Sequence, residues 1–309
     1  ILSDDFDNMV MVEFTELQPS DLTAEYLQWF YTPEDQDYYT LLEAASPEPY
    51  QPPDQSVAGS MRMHLVIAAN TAIGDIGAST QVDLQNLTSE FEGIAAALGM
   101  SCHKSIVAGD DFNKDYLLQT LYGLQPGPND IVVFLYSGHG FRFADQQDRF
   151  PMLDMRKSLY IESSENTYIA LSEVYQIIQQ KGARLNIVLG DCCNENIGVP
   201  KVAGSSFIAA RSTLNANVKK LGNLFLNAQC NIIGAGAVEG EFAIGNNAIG
   251  GYFTSSFINS IREEVSRLKE VADPRWEHIL EKTVQGTLAK SQICQQCSPQ
   301  NAFFFETVE

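Results

Sequence analysis

Residues 130–140, DIVVFLYSGHG, and residues 184–194, RLNIVLGDCCN, are built alike. Each is a largely apolar run of strand length that stops at a cluster of small and reactive residues. Strands that are apolar at nearly every position, rather than at every second one, are buried on both faces, and that is the pattern of a parallel sheet. The first run ends Tyr136-Ser137-Gly138-His139-Gly140, the second Gly190-Asp191-Cys192-Cys193-Asn194. In a parallel sheet the carboxyl ends share one edge, and ligands bind beyond that edge. If the two strands are neighbours, a histidine and a cysteine face one another there.

Outward from these two runs, strands alternate with helices. Residues 63–69 (MHLVIAA), 102–108 and 230–237 (CNIIGAGA) read as further strands, and 302–305 as a last short one. Apolar residues at Leu84, Leu87, Phe91, Ile94 and Leu98 fall on one helix face, predicting a helix over 83–98. Helices are also predicted over 111–124, 171–181, 252–268 and 276–291. The fold class is therefore α/β, a mostly parallel central sheet covered by helices on both faces.

Residues 1–60 read as a separate acidic N-terminal segment and linker, and 61–309 as the folded domain. The first 60 residues carry 13 Asp or Glu and no Lys or Arg, so they hold most of the net charge of −20. A proline-rich stretch, 46–53 (SPEPYQPP), closes that arm as an extended linker. The chain opens on Ile1, and the arm reads as the tail of a preceding domain or as a regulatory segment that docks a partner. The remainder has 26 acidic and 19 basic residues, a net of −7, a balance that argues against nucleic acid. No apolar run approaches the ~18 residues of a membrane helix, and a cytoplasmic protein with no membrane partner is expected.

Six cysteines (Cys102, Cys192, Cys193, Cys230, Cys294, Cys297) are not spaced as a disulfide scaffold, so free thiols are expected. Cys294-Gln-Gln-Cys297 is a lone CxxC, weak as a zinc or redox motif. The four histidines, His64, His103, His139 and His278, are scattered, and no metal site is predicted. Residues 234–240 (GAGAVEG) miss the dinucleotide-binding glycine pattern by one position and sit on a late strand.

The His139 and Cys193 pairing is what thiol catalysis requires. A free cysteine is only about 3% thiolate at neutral pH, and a nearby imidazole takes the proton. His139 lies 54 residues before Cys193, close to the ~50 that separates the two in caspases.

Tyr-Ser-Gly-His-Gly followed by Asp-x-Cys resembles the metacaspases and their bacterial relatives, within the caspase fold. The resemblance covers about residues 61–305. It includes 82–87 (VDLQNL), 235–241 (AGAVEGE) and 251–257 (GYFTSSF). It implies a cysteine endopeptidase with His139 and Cys193 as the catalytic dyad, Cys193 being the third position of Asp-x-Cys and Cys192 a packing residue. It implies oxyanion amides from Gly140 and Cys193, and a first specificity pocket formed by Asp83, Ser137 and Asp191. Two carboxylates in one pocket call for a cation between them. A protein or peptide substrate with Arg or Lys before the cut supplies one. The alternatives are a caspase-fold peptidase with another specificity and a non-catalytic scaffold. Related enzymes cut themselves in the connector that follows the nucleophile, which points to Lys219 or Lys220 in the long stretch holding Lys201 and Arg211. The arm, whose first following basic residue is Arg62, offers no such site. The acidic string that binds calcium in many metacaspases is sparse here (Asp145, Asp148, Asp154), so no cofactor is expected and calcium dependence is doubtful. The resemblance implies a monomer rather than a dimer.

Overall fold

The computed structural model describes residues 61–158, 160–196, 216–267, 273–294 and 297–308. The acidic arm lies outside the described residues, as do Lys201 and Arg211.

A six-stranded sheet forms the centre. Its strands are β1 (Arg62–Ala69), β2 (Ser101–Ala108), β3 (Ile131–Ser137), β7 (Leu185–Asp191), β8 (Cys230–Ala235) and β11 (Phe303–Val308). They lie in the order β11-β8-β7-β3-β1-β2. All neighbours are parallel except β11, which runs antiparallel to β8 at the edge. β3 and β7 are therefore adjacent, in a register that pairs Ser137 with Asp191. β1 lies on the other side of β3 and pairs Ala69 with Ser137. Three carboxyl ends thus finish in one row.

The continuous apolar runs are explained by two cores. On β3, Ile131, Val133 and Leu135 face one core while Val132, Phe134 and Tyr136 face the other. The first core is closed by α1 (Gly77–Ala97), α5 (Tyr252–Glu264) and α6 (Trp276–Ile293) through Leu87, Phe91, Phe257, Ile261 and Trp276. The second is closed by α2 (Lys114–Gly123) and α3 (Leu171–Gln179) through Leu117, Leu121, Val174 and Ile178. Packing rather than capping holds α1. Ile76 at its N-terminus makes no side-chain cap, a deficit of ~1 kcal/mol. Fully burying Leu87, Phe91 and Ile94 contributes ~1.5–3 kcal/mol each.

Helix α1 begins six residues before the expected start at Asp83. Residues 77–82 (GASTQV) carry no apolar stripe, so periodicity is blind to them. They pack because they are small: a Cβ on Gly77 would lie 2.7 Å from the Thr71 carbonyl oxygen. Asp83 is consequently an interior helix residue, not a charge at the helix N-terminus.

Short strands escaped prediction because two or three residues show no period. β4 (Gly140–Phe141), β5 (Met152–Asp154) and β6 (Tyr168–Ala170) form a three-stranded sheet beyond β3. β9 (Gly245–Asn246) and β10 (Gly250–Gly251) form a hairpin before α5. The C-terminal end of the long connector is also not an open loop, since α4 (Val218–Gly222) runs straight into a wider helical turn at Asn223–Asn227.

The free-thiol expectation needs one correction. Cys294 and Cys297 are joined by a disulfide at the end of α6. The turn in which Cys297 N–H donates to the Cys294 carbonyl brings their Cα atoms to 5.3 Å, inside the range a disulfide spans. Cys102, Cys192, Cys193 and Cys230 are free thiols. Among the described residues no helix is long and apolar enough to cross a membrane.

Candidate active site

Beyond the row of strand ends, the chain continues sheet-like pairing for one more step. Asn70 N–H donates to the Ser137 carbonyl and Gly138 N–H to that of Asp191, while Gly236 N–H donates to Gly190. These bonds fix where His139 and Cys193 leave the sheet. His139 is two residues past the end of β3 and Cys193 two past the end of β7.

The backbone around His139 is held from beneath. The buried Tyr136 hydroxyl lies 2.6 Å from the His139 carbonyl oxygen and 2.8 Å from that of Asp154, both within its reach as a donor. Asp154 N–H also donates to the His139 carbonyl. The His139 ring is buried, and its Nε2 lies 3.1 Å from Oδ1 of Asp75. Asp75 stands in the loop after β1, and periodicity gave no reason to choose it. Its position beyond a strand's carboxyl end was the one signal available.

Gly140 is required by the cysteines. A Cβ there would stand 2.5 Å from Cys192 Sγ and 2.5 Å from the Cys193 carbonyl oxygen. The Gly140 and Cys193 backbones therefore run side by side. Gly140→Ala is expected to cost ~1–3 kcal/mol as overpacking. A thermal melt checks it, and a midpoint equal to the wild type would contradict this contact.

The two cysteines point differently. Cys192 belongs to the second core, with 1% of its surface exposed. Cys193, 4% exposed, sends its sulfur to the backbone of Ala243, whose N–H approaches Sγ at 3.4 Å and whose carbonyl lies 3.8 Å away. Asn194 fastens the next turn: its N–H donates to the Glu241 carbonyl, and its carbonyl accepts from Gly240. Its side chain donates to the carbonyls of Arg149 and Ala237.

The three pocket candidates come together. Asp83 accepts from Ser137 Oγ at 2.6 Å and from Gly251 N–H at 2.9 Å. Asp191 accepts from Thr254 N–H at 2.8 Å and Thr254 Oγ1 at 2.7 Å. Thr254 and Gly251 lie in the 251–257 stretch but were not singled out there as pocket residues. Both carboxylates are buried, at 1% and 6% exposure. Burial first, and the charge of Asp191 second, push the Asp83 carboxyl well above the usual carboxylate range, against its hydrogen bonds. Burial pushes Asp191 up to about 6, against the two bonds from Thr254. Their hydrogen bonds come from Ser137, Gly251 and Thr254, and among the described residues none comes from Lys or Arg.

The two carboxylates are covered. Side chains on Gly250 or Gly251 would run into the carboxylates of Asp83 and Asp191 respectively, so the β9–β10 hairpin seals them. The cavity beside Asp191, lined also by Leu135, Leu189 and Thr254, measures about 10 Å³, at the threshold for a single water.

Lys219 and Lys220 lie on α4. Lys220 is buried and its Nζ donates to the Ser266 carbonyl at 2.7 Å. The loop expected there is thus a packed helical turn, and the bonds after these lysines are not extended. Asp154 pairs with Arg156 and Asp148 accepts from Ser172. Among the described residues no three His, Cys, Asp or Glu side chains converge as a metal site.

A family model described as the caspase domain matches residues 65–303. Among solved structures, the chain is similar to "Crystal Structure of Caspase-1 from Spodoptera frugiperda", at 13% identity over 83% of this chain and 94% of that one, with a TM-score of 0.47. No curated protein is significantly similar in sequence.

Proposed function

This chain belongs to the caspase-domain family of cysteine endopeptidases, and from that premise we propose that it cleaves proteins or peptides after Arg or Lys, with Cys193 as nucleophile and His139 as its base. His139 takes the thiol proton, the thiolate attacks the carbonyl, and the amides of Gly140 and Cys193 stabilise the oxyanion. The imidazolium then protonates the leaving amine. Water hydrolyses the thioester by the same route.

One observation supports this specificity: Asp83 and Asp191 are buried together at the strand edge that holds Cys193, and among the described residues their hydrogen-bond donors are neutral. Ionised carboxylates in such surroundings are costly until a cation enters. A guanidinium satisfies both with paired hydrogen bonds, an ammonium as a point charge. Because the hairpin seals the pair, the incoming side chain must displace Gly250-Gly251, and the closed form is a resting state.

The metacaspase-like motifs support a divergent bacterial-type member that acts as a monomer. Self-cleavage after Lys219 or Lys220 requires α4 to open first. Residues 1–60, with no Arg or Lys, survive self-processing and serve as a docking or regulatory segment.

Fluorogenic peptides with Arg, Lys, Asp, Asn or Leu before the cut test this reading. Arg and Lys substrates are expected to exceed the others by at least about 10²-fold in kcat/KM. Protons compete with the substrate cation for the carboxylates. The advantage of the basic substrates should therefore grow as pH rises through about 6, while neutral substrates show no such rise in affinity. Cleavage after an uncharged residue would discard the pocket role of Asp83 and Asp191 and keep the peptidase.

A further inference from the structure

Asp75 lies in the seven-residue passage between β1 and α1, and this passage is tied down. Asn70 donates through its backbone to Ser137 and through its side chain to the Arg156 carbonyl, and has no exposed surface. Thr71 Oγ1 accepts from Gly109 N–H, and Gly77 N–H donates to the Ile73 carbonyl. On that tethered loop the Asp75 carboxylate meets His139 Nε2 with both oxygens, at 3.1 Å and 3.0 Å. Only 8% of the His139 side chain is exposed, against 43% for Asp75. A buried imidazole thus has one ring nitrogen committed to a carboxylate that itself stays hydrated.

Imidazole chemistry turns this contact into an assignment. A neutral ring carries one proton, and the hydrogen bond made by one nitrogen sets which nitrogen holds it. A carboxylate at Nε2 selects the Nε2–H tautomer and leaves Nδ1 as the basic nitrogen. It also stabilises the imidazolium that forms when Nδ1 accepts a proton. The geometry points to Asp75 as a positioning residue for His139. It holds Nε2–H while the Cys193 thiol proton moves to Nδ1, giving thiolate and imidazolium, and while that same proton passes from Nδ1 to the leaving amine. Asp75 itself is never protonated in the cycle. The assignment rests on the His139–Cys193 reading above. Other ionisable groups gathered at this edge include Cys192, Cys193, Tyr136 and Asp154.

The test is ring-nitrogen NMR on ¹⁵N-labelled protein, with the His139 signals identified by their loss in His139→Ala, alongside kcat/KM on the best peptide substrate. In the wild type, neutral His139 should carry its proton on Nε2. Asp75→Ala should lose that preference. Asp75→Asn, which keeps an acceptor oxygen but no charge, should keep the tautomer and lower the His139 midpoint by about one unit. Both should reduce kcat/KM by about 10- to 100-fold, with KM changed less than about twofold and the alkaline limb of the pH profile moved down. Asp75→Glu should recover part of the loss. A His139 tautomer and titration unchanged in Asp75→Ala would overturn the assignment. If Cys193→Ala retains peptidase activity, the dyad falls and the catalytic role of Asp75 falls with it, whatever the His139 signals show.

Discussion

Cys193→Ala is expected to abolish peptide cleavage, a loss of at least about 10⁴-fold in kcat, while Cys192→Ala keeps most of the activity. The two sulfurs are adjacent in sequence and both nearly inaccessible, so exposure does not separate them. Their surroundings do. Cys192 packs in the apolar core under β3 and β7, and its sulfur is one of the atoms that forbids a side chain on Gly140. Truncating it removes one buried atom of an apolar cluster, a cost of ~1–2 kcal/mol in stability. Cys193 directs its sulfur to the polar backbone of Ala243, at the edge where His139 stands. In the proposed mechanism, removing that sulfur removes the atom that would form the covalent intermediate. Steady-state kinetics on the basic peptides, with a thermal melt for each variant, separates the two effects. Equal losses in both variants, with both folded, would sink the assignment of the nucleophile.

Much of this arrangement was legible because the buried strands are apolar at nearly every position. A mostly parallel sheet follows from runs such as 131–137 and 185–191, whose alternate residues feed two cores, whereas the adjacency of those two strands and the antiparallel direction of the edge strand come from the structure alone. Boundaries failed where small residues replace apolar ones. Gly77 to Val82 are helical because Gly77 fits against Thr71 and because Ser79 and Thr80 are buried, not because of any stripe. Asp83 was grouped with Asp191 and Ser137 only through the family resemblance. Nothing in spacing alone places a residue of α1 beside the ends of β3 and β7. Asp75 and Thr254 were missed for the same reason: each acts through a contact made across more than 60 residues. The Cys294–Cys297 bond was missed because the sequence does not say whether a short turn will bring two Cα atoms into range.

Asp191→Asn carries the second large effect, and it works in opposite directions on stability and on activity. The folded protein holds this carboxyl at about 6, against an ordinary value of 3.8. The native state therefore binds a proton more tightly than the unfolded chain does. The stabilisation that this proton confers is complete below pH 3.8 and is lost as pH rises through about 6. A shift of about two units corresponds to about 3 kcal/mol between those limits. Asparagine cannot ionise, and its amide oxygen can still accept from Thr254 N–H. At pH 8 the variant should accordingly melt higher than the wild type, and the difference should shrink toward zero by pH 4. Cleavage after Arg or Lys should fall by at least about 10²-fold, because the substrate cation loses a buried counter-charge, while any residual cleavage after neutral residues holds or rises. Asp83→Asn should move both readouts in the same directions. The double variant should gain less stability than the sum, since part of what raises the Asp83 carboxyl is the charge of Asp191. A variant that melts lower than the wild type at pH 8 would mean that the ionised pair is already compensated in the resting protein. A variant that cleaves basic peptides undiminished would mean that the pair does not face the substrate. Gain in stability with loss of basic specificity is the combination expected of carboxylates kept buried and uncompensated until a substrate arrives.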